Sequence, residues 1–153
     1  MAFDRARDFL RERGFEDRIR EFEVSSATVA LAAEALGCEP ARIAKTLSFM
    51  GADGPILVVA AGDARIDNAK FKQTFHTKAK MLAHDDVETL IGHAVGGVCP
   101  FGVNSGVKAY ADESLKRFDI VYPACGSGNS AVRLTVDELA GLVGGEWVDV
   151  CKL

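Results

Sequence analysis

The sequence predicts a mixed α/β fold of the α+β kind, with a curled or barrel-like mixed sheet flanked by helices. Several segments place apolar residues at helical spacing, and others alternate or run continuously apolar as strands do. The two kinds of segment are intermixed without a regular βαβ rhythm. This order favours a mixed sheet over a parallel, doubly wound one.

The composition indicates one soluble domain over residues 1–153. The formal net charge is −4, which argues against a protein that wraps DNA or a long RNA, because such binding neutralises many phosphates. No apolar run is long enough to span a bilayer and the first residues are charged, so we expect no membrane partner and a cytoplasmic location. The four cysteines are scattered without metal-ligand spacing, so neither a zinc site nor a disulfide framework is indicated. No cofactor is expected.

Helices are predicted where apolar residues recur three or four positions apart after a capping residue. The first two are expected over about 3–13 and over 29–36, the latter after the capping candidates Ser25, Ser26 and Thr28 and before Gly37. Others are expected briefly from Pro40 over 40–44, after Asp67 with Phe71 and Phe75, after a capping box of Asp85 and Glu88, over 112–118, and after a capping box of Thr135 and Glu138.

Strands are predicted over 45–50, 56–62, 107–110, 119–125, 130–135 and 146–151. The second of these is apolar on both faces and is expected at the centre of the sheet.

Lys45 is unusual because it shares the strand face of Leu47 and Phe49. A lysine there must reach solvent, pair with an anion or accept a lowered pKa. Two interpretations stay open at this point: an ammonium that extends outward to water, or one that waits in a cleft for a substrate anion or hydroxyl.

The segment "GGVCPFG" at 96–102 is a shaped loop. It either connects two elements tightly, or uses Gly96, Gly97 and Gly102 to bring backbone N–H groups close to a ligand while Pro100 stiffens it. Cys99 lies inside the loop with no histidine adjacent in sequence, which disfavours a nucleophilic thiolate.

The segment "GSGNSA" at 126–131 begins like a dinucleotide-binding fingerprint, but a β-branched stretch follows it instead of a helix. A nucleotide-dependent oxidoreductase is therefore disfavoured, and a glycine-rich strand connection is expected.

Two further groups of residues have ordinary interpretations. His76, His84 and His93 share no metal spacing and are expected at the surface or at helix caps. A basic stretch is either a solvated face or a phosphate-contacting patch; it comprises Arg65, Lys70, Lys72, Lys78 and Lys80.

The helix ending in Leu36-Gly37, "IAKTL" at 43–47, "GGVCPFG" at 96–102 and "ACGSGN" at 124–129 occur in an informative order. Together they make the chain, from about residue 22 to the end, resemble the YbaK/ProX family of aminoacyl-tRNA editing domains. This family also occurs inside prolyl-tRNA synthetases. The resemblance implies a YbaK-like fold and a free-standing, metal-independent deacylase that hydrolyses a mischarged small amino acid from tRNA, with tRNA-Pro the expected substrate.

The resemblance also implies roles for individual residues. Lys45 would contact the terminal phosphate or ribose, and the loop glycines Gly96, Gly97 and Gly102 would position the ester carbonyl. The attacking group would be a water or a group of the substrate itself. The matched motifs supply the other substrate-binding candidates, which are Thr28, Thr46, Cys99, Pro100, Phe101, Gly126, Ser127 and Asn129.

The implied partners are the 3′ end of a mischarged tRNA and prolyl-tRNA synthetase. Many relatives have a histidine directly after the loop, where this chain has Val103. The amino acid removed and the tRNA served stay open, and so does a non-catalytic module that binds aminoacyl-tRNA ends or related small ligands.

Overall fold

The computed structural model describes residues 2–153 and has a mixed α+β fold. A six-stranded sheet curls into a half-barrel, and five helices pack around it, which confirms the predicted fold class. Within residues 2–153 no helix is both long and apolar enough to cross a bilayer.

The helices have the following bounds: α1 Ala2–Glu12, α2 Val29–Leu36, α3 Asn68–Phe75, α4 His84–Ile91 and α5 Val136–Leu142. Short 3₁₀ turns cover Glu16–Arg18, Pro40–Arg42 and Glu113–Arg117.

The strands have the following bounds: β1 Ile19–Glu21, β2 Ile43–Gly51, β3 Gly54–Ala61, β4 Arg65–Ile66, β5 Lys108–Asp112, β6 Ile120–Pro123, β7 Ser130–Val132, β8 Leu134–Thr135, β9 Trp147–Val148 and β10 Cys151–Lys152. The main sheet has the order β8-β6-β2-β3-β5-β9, with β1-β7 and β10-β4 forming two small antiparallel pairs.

Strand β3 lies inside the main sheet, antiparallel to β2 and parallel to β5. Its residues Leu57 to Ala61 are fully buried, as the continuous apolar run predicts. On β2, Phe49 is buried and Leu47 packs against the same core cluster, so the predicted apolar face of this strand is confirmed.

Three predicted helix caps are confirmed. The Thr28 hydroxyl accepts a hydrogen bond from the Leu31 N–H at 3.2 Å, and Gly37 ends α2 in the left-handed conformation. Asp67 caps α3 in the same manner, and Thr135 with Glu138 forms the capping box of α5.

The capping box expected at Asp85 is wrong. Helix α4 begins at His84 with Ala83 as its N-cap, so Asp85 already lies in the first turn. The reason is tertiary: residues 80–82 run beside β2 and are held there by the hydrogen bonds Met50 N–H to Lys80 O (2.9 Å) and Leu82 N–H to Ser48 O (3.1 Å). The chain therefore stays extended up to the residue before the helix.

Two predicted strands are each divided in the structure. Residues 130–135 form β7, which pairs with β1, and β8, which pairs with β6. Residues 147–152 likewise divide between β9, beside β5, and β10, beside β4. Each half pairs with a different strand. Strands β4, β8, β9 and β10 have two residues each, which is too short to show a period in the sequence.

His93 is buried, so its expected surface position is wrong. Its Nε2 lies 2.7 Å from the Phe101 carbonyl oxygen, so the neutral ring carries its proton there and donates it. The Nδ1 atom is buried without a partner in residues 2–153. Burial lowers the pKa of His93, the hydrogen bond to Phe101 opposes this shift, and the charge of Arg5 adds to it.

The lowered pKa of His93 predicts a loss of stability in mild acid. As pH falls through the unfolded-state pKa of about 6.5, His93 becomes protonated in the unfolded chain but stays neutral in the folded chain. Between pH 7.5 and 5.5 the free energy of unfolding should fall by up to about 1.4 kcal/mol through this residue. His93→Gln keeps a donor for Phe101 and cannot titrate, so urea unfolding of this variant should show a smaller decline. Equal declines in both proteins would contradict the assignment.

Candidate functional site

The site lies at an interruption in the main sheet. One edge of β2 pairs in parallel with β6, but only at Ile43 and Ala44. Farther along, the same strand is bordered by residues 80–82, through the isolated bridge between Phe49 and Met81. In the part of the chain that the structure describes, no strand pairs with this edge between the two neighbours. A gap therefore opens beside residues 45–47.

A cavity of about 380 Å³ occupies this gap, which is within the range of small-molecule sites. Its walls come from β2, the segment before α2, residues 81–87, residues 95–98, and the ends of β6 and β7. Most lining side chains are apolar. The titratable ones are Lys45, His84 and Tyr122, and no carboxylate side chain lines the cavity.

Lys45 lines the cavity and is half-buried. Its ammonium donates to two main-chain carbonyls beyond the end of β3, those of Gly62 (3.3 Å) and Ala64. Burial is the main cause that lowers the pKa of Lys45, while the charge of Asp63 opposes that shift. Lys45 therefore has the lowered pKa that the sequence allowed, and its partners within the chain are main-chain carbonyls. Its position in the cavity wall fits the cleft interpretation, which stays a prediction.

The three loop glycines occupy different environments. Gly96 lines the cavity together with Lys45. Gly97 packs against the second glycine loop, where a Cβ would lie 2.6 Å from Ser127 N. Gly102 has a positive φ of 63° and packs against α1, where a Cβ would lie 2.6 Å from Arg5 O. Gly97 and Gly102 thus allow close backbone contacts and do not line the cavity.

Three of the four side chains between Gly97 and Gly102 point into the protein, and the fourth, Val98, lines the cavity. Cys99, Pro100 and Phe101 are buried and do not line the cavity. Burial raises the pKa of the Cys99 thiol far above its ordinary value, which keeps it protonated and a poor nucleophile. Its Sγ lies 3.7 Å from both His93 Nε2 and Phe101 O.

The second glycine loop supports the cavity from outside. Gly126 packs against Ala2 of α1, and Asn129 Nδ2 donates to the Phe22 carbonyl at 3.0 Å. The Ser127 hydroxyl lies 2.6 Å from that of Ser130, which lines the cavity. None of Gly126, Ser127 and Asn129 lines the cavity itself.

Thr28 and Thr46 line the cavity, together with residues that the sequence analysis did not select. Ser26 is only 7% exposed, and its hydroxyl and that of Thr46 are buried without hydrogen-bond partners in residues 2–153. Ala44 and Ser48 share a strand face with Thr46. The alternation of small and polar residues on this strand face was the sequence signal that could have indicated a cavity wall. Nothing in the sequence distinguishes Ser26 from an ordinary helix cap.

No cluster of three or more His, Cys, Asp or Glu side chains that could hold a metal ion occurs in residues 2–153.

Comparison with known proteins decides the family. The family model described as "Aminoacyl-tRNA editing domain" matches residues 23–142, which is most of the chain. The chain belongs to the aminoacyl-tRNA editing domain family. The cavity and both glycine loops of this editing domain lie within the matched region.

Full-length relatives are known in sequence and in structure. YwhH of Bacillus subtilis, an uncharacterised protein, is 51% identical over 99% of this chain and 98% of its own length. A crystal structure of a candidate trans-editing enzyme for prolyl-tRNA synthetase superposes with a TM-score of 0.90 at 32% identity, covering 99% of this chain and 98% of the other.

Other relatives match less of the editing domain. EbsC of Enterococcus faecalis, named as a candidate Cys-tRNA(Pro)/Cys-tRNA(Cys) deacylase, is 28% identical over 77% of this chain and 73% of its own. The proline–tRNA ligase of Thermotoga neapolitana is 33% identical over 58% of this chain, which corresponds to only 15% of the ligase.

The contact between the two glycine loops predicts a stability effect. Gly97→Ala places a methyl group 2.6 Å from Ser127 N and should lower the free energy of unfolding by about 1–3 kcal/mol. Gly128→Ala is the matched control, because its Cβ would meet only Ala27 Cβ, at 3.6 Å. Urea unfolding should show the control within about 0.5 kcal/mol of the parent protein. A Gly97→Ala protein as stable as the control would contradict this packing role.

Proposed function

We propose that this protein is a free-standing, trans-acting aminoacyl-tRNA deacylase that hydrolyses a mischarged small amino acid from tRNA, with tRNA-Pro as the tRNA served. The observation that carries the proposal is the cavity shared by Lys45 and Gly96 within the matched editing region. The names of EbsC and of the structural relative, and the partial similarity to proline–tRNA ligase, support the choice of tRNA-Pro.

Editing answers a physical need in translation. A synthetase pocket distinguishes two side chains that differ by one methylene by only about 1–3 kcal/mol. A second site that hydrolyses the wrong ester raises the accuracy. An apolar cavity of about 380 Å³ has room for a small aminoacyl group and part of the ribose.

In the proposed reaction, a water molecule adds to the ester carbonyl, its proton passes to the ribose oxygen, and the bond to that oxygen breaks. Attack by the neighbouring ribose hydroxyl only moves the acyl group between the two ribose oxygens, and the amino acid is released when water hydrolyses the resulting ester. When water attacks, the products are the free amino acid and deacylated tRNA. The nucleophile is not Cys99, which is buried and protonated. Amide N–H groups at the cavity wall, including that of Gly96, would oppose the negative charge that develops on the carbonyl oxygen. No metal ion is required in this scheme.

Lys45 would bind the terminal phosphate or ribose by exchanging the carbonyls of Gly62 and Ala64 for substrate oxygens. An anion is a better partner for an ammonium than a neutral carbonyl, because a charge-assisted pair is stronger. The half-buried position lowers the local dielectric constant and strengthens this contact.

One observation favours a second function. The Lys45 ammonium already has two main-chain partners, and the cavity lining contains no carboxylate that could act as a general base. The same cavity could therefore serve a non-catalytic module that binds aminoacyl-tRNA 3′ ends. Turnover measurements separate the two functions.

The function is tested with a panel of mischarged tRNAs in which amino acid and tRNA are varied separately. The parent protein should deacylate at least one small aminoacyl ester on tRNA-Pro. Lys45→Met should reduce kcat/KM by about 10- to 100-fold, because one charged hydrogen bond to substrate contributes about 1.5–3 kcal/mol. Lys108→Met removes an exposed lysine on β5, outside the cavity lining, and should leave the rate unchanged. Binding without turnover by the parent protein would favour the non-catalytic module.

The low positive charge predicts weak binding of tRNA by this protein alone. The chain has a net charge of −4, and a site that contacts only terminal nucleotides gains little from counterion release. We therefore propose that prolyl-tRNA synthetase delivers the substrate in the cytoplasm. A pull-down at low salt with synthetase and tRNA together should retain both. Retention of neither would contradict this partnership.

A further inference from the structure

The interrupted edge of β2 leaves Thr46 without a strand neighbour on the side of the cavity. Ser48 O and Met50 N–H bond to residues 80–82, so the main-chain groups of these even-numbered residues point toward this edge. Main-chain groups alternate between the two edges of a strand. The N–H and C=O of Thr46 therefore point toward the same edge, where the gap lies.

Neither neighbour reaches Thr46. The pairing with β6 ends at Ala44 and Pro123, after which the chain enters the second glycine loop. On the other side the chain leaves β2 after Leu82 to begin α4. Buried main-chain groups are nearly always hydrogen-bonded in folded proteins. The unpartnered hydroxyls of Ser26 and Thr46 at the same cavity are a second, independent sign that a polar ligand is bound here.

Resting on the proposed function, we infer that the aminoacyl group binds to Thr46 as a single residue added to the sheet. In an antiparallel pair, one residue donates its N–H to, and accepts at its C=O from, one residue opposite. An aminoacyl ester carries a carbonyl and an ammonium on one Cα in this same arrangement. The Thr46 N–H donates to the ester carbonyl oxygen, and the Thr46 carbonyl accepts from the α-ammonium.

The charges around the cavity support this assignment. An α-ammonium would ordinarily be bound by a carboxylate, but no Asp or Glu side chain lines the cavity. The titratable lining residues are Lys45, His84 and Tyr122, and none of them is a carboxylate. The Thr46 carbonyl is thus an uncharged acceptor that the fold leaves open, and the hydroxyls of Ser26 and Thr46 offer further acceptors.

This mode of binding makes a free α-amino group part of the substrate. An N-acylated ester loses the positive charge and places a bulky acyl group against the wall formed by residues 81 and 82. Peptidyl- and N-formylaminoacyl-tRNAs are therefore excluded, although their ester bond is the same. The site selects the free amine as well as the side chain.

The first test compares each free ester with its N-acetyl form, using Ala-, Ser- and Cys-tRNA-Pro and the intact parent protein. For every free ester that is deacylated, the N-acetyl form should react at least about 10-fold more slowly, because one charge-assisted hydrogen bond is lost. Equal rates would overturn the inference and leave the deacylase function intact. If no free ester is deacylated, the proposed function fails and this inference fails with it.

A second test observes the main chain directly. The ¹⁵N-labelled protein is titrated with 3′-deoxy-3′-(L-alanylamino)adenosine, whose amide cannot be hydrolysed as an ester. The Thr46 amide resonance should shift downfield, while that of Leu139 on α5, which is buried away from the cavity, serves as the control. The N-acetyl form of the same compound should leave the Thr46 resonance unmoved at equal concentration. Saturation by the free-amine compound without a shift at Thr46 would overturn the inference.

Discussion

The structure depends on how the two neighbours of β2 divide one of its edges. Strand β6 covers the beginning of that edge, and residues 80–82 cover its end. A continuous neighbour would satisfy every main-chain group of β2 and would close the cavity. The interruption leaves the middle of β2 accessible, so the main chain of the sheet forms part of the cavity wall. Such a boundary suits a site that must hold an ester in one orientation.

The glycine loops contribute mainly by allowing close approach. Gly97 lets the first loop touch the second, and Gly102 and Gly126 let both loops touch α1. These contacts hold Gly96 at the cavity wall. His93 strengthens the arrangement, since its ring binds the Phe101 carbonyl from within the core. The N-terminal helix, although it precedes the matched editing region at 23–142, is therefore a structural support of the site.

Lys45 connects β2 to the segment that follows β3. Its main chain belongs to the open stretch of β2, and its ammonium is bound to the carbonyls of Gly62 and Ala64 after β3. A half-buried cation is costly unless it has good partners. Neutral carbonyls satisfy it only in part, and a phosphate or ribose oxygen of tRNA would satisfy it better. In the proposed function the same residue thus stabilises the resting fold and binds the substrate.

The sequence by itself determined the elements whose signals are local. Helical spacing and the caps at Thr28, Asp67 and Thr135 located three helices, the apolar run located β3, and the order of motifs indicated the editing family that the family model confirms. Only the tertiary structure decided the burial of His93, the start of α4 and the interruption in the pairing of β2 beside Thr46. These depend on which distant segment lies beside a residue, and contact between segments far apart in sequence leaves no local period or cap to detect. Which residues line the cavity also depends on the tertiary structure, because the cavity wall is formed by segments that are far apart in the sequence.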